Sequence, residues 1–241
     1  MTHPATPDDE AQAVRQRYAR RSAQDPRYSL LNPAALWALH ERQRAMLAML
    51  RQHHPADLAA LRLLEVGCGG GGNLLDCLRM GFAPEHLAGI ELLSERCDAA
   101  RACLPAAVRL SLGDAAELLG DAGLAQRFDL VLQATVFSSL LDAGFQQRLA
   151  DAMWAALKPG GAVLWYDFTV DNPRNPDVRG LPLRRVAQLF PEGTIQARRV
   201  TLAPPIARAV TRWQPSLYTL FNTLPWLRTH LFAWIGKPPR P

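Results

Sequence analysis

The sequence predicts an α/β domain built on a mostly parallel sheet with helices on both faces. Three observations carry that reading. Short apolar runs alternate with helically spaced stretches from about residue 62 onward, and regular β-α alternation means a parallel sheet. A glycine-rich turn joins the first apolar run to a helix. The 241 residues, 49% hydrophobic and 20% charged, are enough for one sizeable core.

The elements follow in order. Residues 1 to about 12 hold Pro, Asp, Thr and Ala without period and are expected to be disordered; 13–21 reads as a short basic helix. Residues 33–52 set Leu36, Leu39, Met46, Leu47 and Leu50 at helical spacing. Asn32 is the candidate N-cap there, with Pro33 in the first position. Strands are expected over 62–66, 86–91, 108–112 and 128–133, and a fifth follows the turn "KPGG". Helices are expected over 73–80 (closed by Gly81), 94–103 and 145–157. Beyond these come a helix at 183–190, a strand at 194–202 and a helical stretch at 206–227 broken by Pro215 and Pro225. Leu217, Leu220, Phe221 and Leu224 fall on one face of that stretch. "THLFAWIG" ends the series as a final buried strand.

Composition narrows the setting. No apolar run reaches the ~18 residues of a membrane span, and the first twenty residues hold no signal-peptide core. Cys68, Cys77, Cys97 and Cys103 form no C-x-x-C pair, so no disulfide framework or metal site is expected and a reducing cytoplasm fits. The net charge is +5, with ten Lys or Arg and only Glu192 as an acid from Arg179 onward. Such a surface attracts substrate phosphates, an anionic membrane or nucleic acid, or is merely solvated.

The stretch "LLEVGCGGGGNLLDCL" carries the chemistry. Gly67, Gly69 and Gly72 satisfy G-x-G-x-x-G, where glycine lets backbone approach a ligand. Glu91 ends the second strand twenty residues beyond Gly71 and suits two ribose hydroxyls. Glu65 discriminates between ligands: a carboxylate repels a pyrophosphate but attracts an ammonium or sulfonium. The helix lacks the Lys-Ser/Thr of a triphosphate loop. Asp114 in "GDA" also reads as an N-cap for "AAELL".

"LLEVGCGGG", the acid ending strand two, "GDA", "FDLVL" and "LKPGGAVL", in that order over roughly 61–168, resemble the class I S-adenosylmethionine-dependent methyltransferases. The resemblance implies a Rossmann-like, seven-stranded, mostly parallel sheet whose last strand, here "THLFAWIGKP", is antiparallel. It implies S-adenosylmethionine as cofactor. Glu65, Gly67, Cys68 and Gly69 would lie along its methionine part, with Gln133 facing that end. Glu91 would hold the ribose, with Leu92 beside the adenine; Asp114, with Ala115 adjacent, would accept from the adenine amino group. Gly70 stands where many relatives carry Thr, Ser or Pro.

"VLQATVFSSLLD", "NPRNPDVRG" and "RRVTLAPPIAR" are similar to a methyltransferase subgroup of bacterial surface-polysaccharide and secondary-metabolite gene clusters. That would imply O-methylation of a sugar, nucleotide- or lipid-linked, or of another small polar molecule. Methyl transfer is an in-line displacement that depends on positioning; a hydroxyl acceptor also needs a general base. Asp167 is the candidate base, with Tyr166 beside it and Asp171 following; His230 reads as structural, and His40 could reach the cleft. The loop at 171–180 offers Asn172, Arg174, Asn175 and Arg179 to a polyhydroxylated or anionic acceptor.

The chain divides into an N-terminal helical segment, 1–55, and the main domain, 56–241, with the substrate side at 171–228. The first segment is expected to act as a lid, with Tyr18, Arg21 and Tyr28 as contacts. Residues 206–228 would cap the pocket or make peripheral contact with the inner membrane face. A nucleic-acid methyltransferase would need an RNA-binding module or an "NPPY"-like motif, and "QATV" stands there instead, so no nucleic-acid partner is expected. A non-catalytic cofactor-binding protein is a further alternative. Glu65 and "LKPGG" disfavour an NAD-dependent oxidoreductase.

Overall fold

The computed structural model of the protein describes residues 7–20, 26–54, 57–120, 124–173 and 175–240. Seven strands form one sheet: β1 (Leu63–Val66), β2 (Leu87–Glu91), β3 (Arg109–Leu112), β4 (Phe128–Ala134), β5 (Leu157–Phe168), β6 (Thr194–Leu202) and β7 (Arg228–Gly236). Their order is β3-β2-β1-β4-β5-β7-β6, with β7 antiparallel to both neighbours and the inner pairs parallel. The strand order reverses at β1, whose neighbours are β2 and β4, so a crevice opens at the carboxyl ends of these strands.

The helices are α1 (Pro7–Ala19), α2 (Pro33–His53), α3 (Gly72–Met80), α4 (Ser94–Cys103), α5 (Ala115–Gly120), α6 (Ala143–Ala156), α7 (Leu183–Leu189), α8 (Pro204–Trp213) and α9 (Leu217–Phe221). Asn32 caps α2, its side chain accepting from the Ala34 N–H at 3.1 Å, and Pro33 fills the first turn. Alternating residues split the core between the two sheet faces. Val131, Val163 and Trp165 face α1, α6 and α7; Leu132, Leu164 and Tyr166 face α2 and α3. A satellite cluster of Ala34, Leu202, Ala207 and Tyr218 joins α2 to α8 and α9. No helix of the described residues is long and apolar enough to cross a membrane.

Two expectations change. Residues 7–12 are helical: α1 begins at Pro7, where a missing N–H leaves no helical bond unmade. Its order comes from docking, since Ala11 and Val14 are buried in the main core and Glu10 accepts from the Leu141 N–H at 2.8 Å. The face expected at 217–224 also divides. Tyr218 turns inward instead, while Leu220 is 61% exposed.

Candidate active site

The glycine turn after β1 takes its shape from positive φ values at Gly67 (65°) and Gly69 (56°), which L side chains rarely adopt. A Cβ on Gly67 would also meet Val136 Cγ2 at 2.6 Å. The Gly69 N–H donates to Glu91 at 2.7 Å, and the Leu93 N–H donates to its other carboxylate oxygen at 3.0 Å. Those two bonds leave further lone pairs on a buried carboxylate that lines the crevice.

The crevice is a cleft of about 760 Å³, its solvent-open mouth included. Gly67, Glu91, Leu92, Asp114 and Ala115 line it, as the motifs lead one to expect. Asp114 accepts from the Ala116 N–H at 2.7 Å, so the capping reading holds beside its place in the cleft. Cys68 lies under the turn against β2, where burial first, then Glu65, pushes its thiol well up.

Glu65 has the most telling environment. It is wholly buried, and Asn73 donates to one oxygen at 2.5 Å. The other, Oε2, receives no hydrogen bond from any described residue. Burial pushes the carboxyl up to about 7, against the pull of Asn73 and Arg42. A buried carboxylate with an open oxygen wants a cationic donor. Its surroundings therefore fit an ammonium-bearing ligand over this turn.

Glu65, Cys68 and Gly69 are not among the cleft-lining residues, and the remaining site expectations fall outside the lining too. Gln133 is fully buried; it accepts from the Val136 N–H at 3.2 Å and donates to the Tyr166 carbonyl at 3.4 Å. It shapes the turn after β4, whose Thr135 (φ 59°) and Val136 line the cleft in its place. Asp167 is also fully buried, on the α6 side, and is corrected as a facing base: its two oxygens accept from the Ser138 N–H (3.1 Å) and the Phe168 N–H (2.9 Å). Burial raises its carboxyl to about 6. It holds the 3-10 turn Phe137–Ser139, and Ser139 reaches the cleft. Tyr166 points to the opposite sheet face, bonded to Thr201 Oγ1 at 2.9 Å and stacked on His230 with ring centroids 4.9 Å apart. Burial raises its phenol, and it is not among the residues lining the cleft. His230, pushed down to about 3 by burial and then Arg42, is a neutral packing residue, and exposed His40 meets the edge of Trp37.

Among the described residues the loop after β5 adds none to the cleft lining, and it is tied to the turn after β4 through its backbone. The Arg179 N–H donates to the Ser138 carbonyl at 2.8 Å, Asp177 pairs with Arg20 at 3.0 Å, and Asp171 accepts from the Gly180 N–H at 2.7 Å. The Asn175 side chain accepts from the Asp177 N–H at 3.2 Å, while Asn172 and Arg179 are exposed. Arg174 and Arg21 lie outside the described residues.

Of the expected lid contacts Tyr18 lines the cleft; sequence reasoning missed several other participants beside it. Ala11 and Val14 of α1 close one wall of the cleft with Tyr18, and Arg96 lies 4.5 Å over the Tyr18 ring while lining the same wall. Arg42 of α2 lies 5.5 Å over the Tyr166 ring and acts electrostatically on Glu65. No local spacing marks an arginine on a long helix as one that will meet a carboxylate on β1.

Residues 63–161 match a family model described as a methyltransferase domain. No curated protein matches the chain. Among solved structures, a Burkholderia thailandensis 1,6-didemethyltoxoflavin-N1-methyltransferase is similar at 18% identity and TM-score 0.63, over 99% of this chain and 93% of that one. A SAM-dependent methyltransferase from Archaeoglobus fulgidus is similar at 14% identity and TM-score 0.58, over 84% and 98%. The [4+2]-cyclase SpnF is similar at 15% identity and TM-score 0.58, over 82% of each chain. These likenesses establish a shared fold, and one fold can host different chemistries.

Proposed function

We propose, from the match of residues 63–161 to a family model described as a methyltransferase domain, that the cleft holds S-adenosylmethionine and that the chain transfers its methyl group to a small polar acceptor. One observation carries this reading: the open Oε2 of wholly buried Glu65 beside the glycine turn. That oxygen would take the ammonium of the methionine part, with Arg42 toward its carboxylate, Gly67, Cys68 and Gly69 along the chain, and Glu91 on the ribose. Leu92, Asp114 and Ala115 would border the adenine. When bound, the cofactor supplies an electrophilic methyl group. The protein's part is to hold donor and acceptor in line and exclude water. Asp167 and Gln133 contribute by fixing the turn after β4, and α1 acts as the lid over the cofactor.

The acceptor we favour is a sugar hydroxyl, free or on a nucleotide or lipid carrier. Exposed Asn172 and Arg179 on a loop bonded to the turn after β4 support it; the Burkholderia protein, named for N1-methylation of 1,6-didemethyltoxoflavin, bears only on the acceptor being a small molecule. Calorimetry with S-adenosylmethionine, S-adenosylhomocysteine and NAD is the test. Binding of the two sulfur ligands on the order of micromolar, about −8 kcal/mol, with none of NAD, is expected; NAD alone would overturn the reading. Glu91→Ala is expected to weaken the sulfur ligands by about 1–3 kcal/mol, the cost of unpaired hydroxyls. Radiolabelled methyl transfer to sugar nucleotides then tests the acceptor. Cofactor binding without transfer to any polar acceptor would favour a different chemistry on this fold.

A further inference from the structure

Of nine large apolar side chains exposed among the described residues, the five most exposed lie on segments that flank the satellite cluster; Leu47, Leu112, Val170 and Leu183 lie elsewhere. Around the satellite cluster between α2, α8 and α9, Leu31 is 96% exposed, Trp213 87%, Trp226 71%, Leu220 61% and Leu30 54%. These residues come from four separate stretches: the approach to α2, the end of α8, α9, and the 3-10 turn Pro225–Leu227. The stretches are well anchored. Tyr218 accepts from the Leu202 N–H at 3.3 Å, Asn222 donates to buried Glu41, and Arg228 Nε donates to the Asn222 carbonyl at 2.7 Å. The scaffold buries Tyr218 and Asn222 while holding Leu220 and two tryptophans outward.

Charge identifies what covers them. Residues 26–40 and 204–241 contain no Asp or Glu, whereas Arg208 and Arg212 lie on α8. On that helix Ala207 and Thr211 are buried, so Arg212 and Trp213 share the outward side. A second copy of this chain docking symmetrically would set arginines against arginines. A nucleic acid would use the arginines but has no use for Leu30, Leu31 and Leu220. An anionic bilayer uses all three kinds of side chain: aliphatic groups in the acyl boundary, indoles at headgroup depth, guanidinium groups on the lipid phosphates.

We propose that this face docks the protein peripherally on an anionic lipid bilayer. The proposal goes beyond methyl transfer and stands without it. It places Thr201, which bonds Tyr166, one residue from Leu202 of the membrane-side cluster.

The test is co-sedimentation of the full chain with phosphatidylcholine–phosphatidylglycerol vesicles and with pure phosphatidylcholine vesicles, with tryptophan emission read in parallel. Binding to the anionic vesicles, weakened by salt and accompanied by a blue shift, is expected. The double variant Trp213→Ser/Trp226→Ser is expected to lower partitioning roughly ten-fold or more, from lost apolar burial. Arg208→Gln/Arg212→Gln is expected to lower it roughly ten-fold at low salt, with little effect on pure phosphatidylcholine. Circular dichroism and the unfolding midpoint should match the parent in both, since all four side chains lie at or near the surface. Failure to sediment with anionic vesicles overturns the proposal. So does a dimer, seen by light scattering, that the tryptophan variant makes monomeric. So does a single-stranded oligonucleotide that binds the parent while vesicles do not.

Discussion

Glu65 couples ligand binding to pH. In the folded chain its carboxyl is pushed up to about 7 by burial, from an ordinary value of 4.5. Between those values the folded state holds a proton that the unfolded state has released, so stability falls as pH rises across that window. Asp167, raised from 3.8 to about 6, acts in the same direction over its own window. A bound ammonium reverses the preference at Glu65, because it favours the ionised carboxylate. S-adenosylhomocysteine is therefore expected to bind more tightly at pH 8 than at pH 5.5 and to raise the unfolding midpoint more at the higher pH. An affinity that is flat across that range in calorimetry would sink the ammonium assignment. Asp167 separates two roles in the same way. Asp167→Asn leaves the Ser138 or Phe168 N–H unpaired and is expected to cost about 1–3 kcal/mol of stability, with cofactor affinity lowered by at most that amount through the loosened turn after β4. A variant as stable as the parent but without turnover would restore Asp167 as a base.

At the scale of elements, α1 was only partly legible: a basic helix and its lid contact Tyr18 were anticipated, while its start at Pro7 and the docking of Ala11 and Val14 were not. The helix is short and carries many charged residues, and Ala11, Val14 and Tyr18 make only a narrow apolar stripe, so its period marks it weakly. It is held from outside, by Ala11 and Val14 in the core and by Glu10, which bonds Leu141 and pairs with Arg17 at 2.6 Å. Arg17 in turn donates to the Ser139 carbonyl at 2.9 Å. Glu10→Ala leaves Arg17 as an uncompensated, mostly buried charge, a situation worth about 3–5 kcal/mol. The strain is expected to release α1 rather than unfold the sheet. Trypsin should then cut within residues 15–20 faster than in the parent and leave the core intact; an unchanged cutting rate would contradict this. The strands and α2 through α6 were legible because their periodicity and caps are local. Gly67, Glu91, Leu92, Asp114 and Ala115 were legible because motif spacing fixes them at strand ends. That Gln133 and Asp167 are buried outside the cleft lining was not legible, because their hydrogen-bond partners, Val136 and Tyr166 for the one and Ser138 for the other, are set by how β4, β5 and the turn after β4 pack.

For the molecule as a whole, the reversal at β1 gathers the glycine turn, Glu91 and the turn after β4 at one crevice, and the final strand completes the sheet far from it. That last connection has a consequence for how the chain is made. β5 is paired on one side by β4 and on the other by β7, and Ala162 to Trp165 have no exposure at all. During synthesis β5 emerges well before residues 228–236, so its outer edge waits unpaired for some sixty residues of translation. β6 is made earlier than β7, and in the finished sheet β7 lies between it and β5. The newborn chain thus depends on its last strand to seal its middle, and any fragment ending before Arg228 presents an open apolar edge to its neighbours on the ribosome.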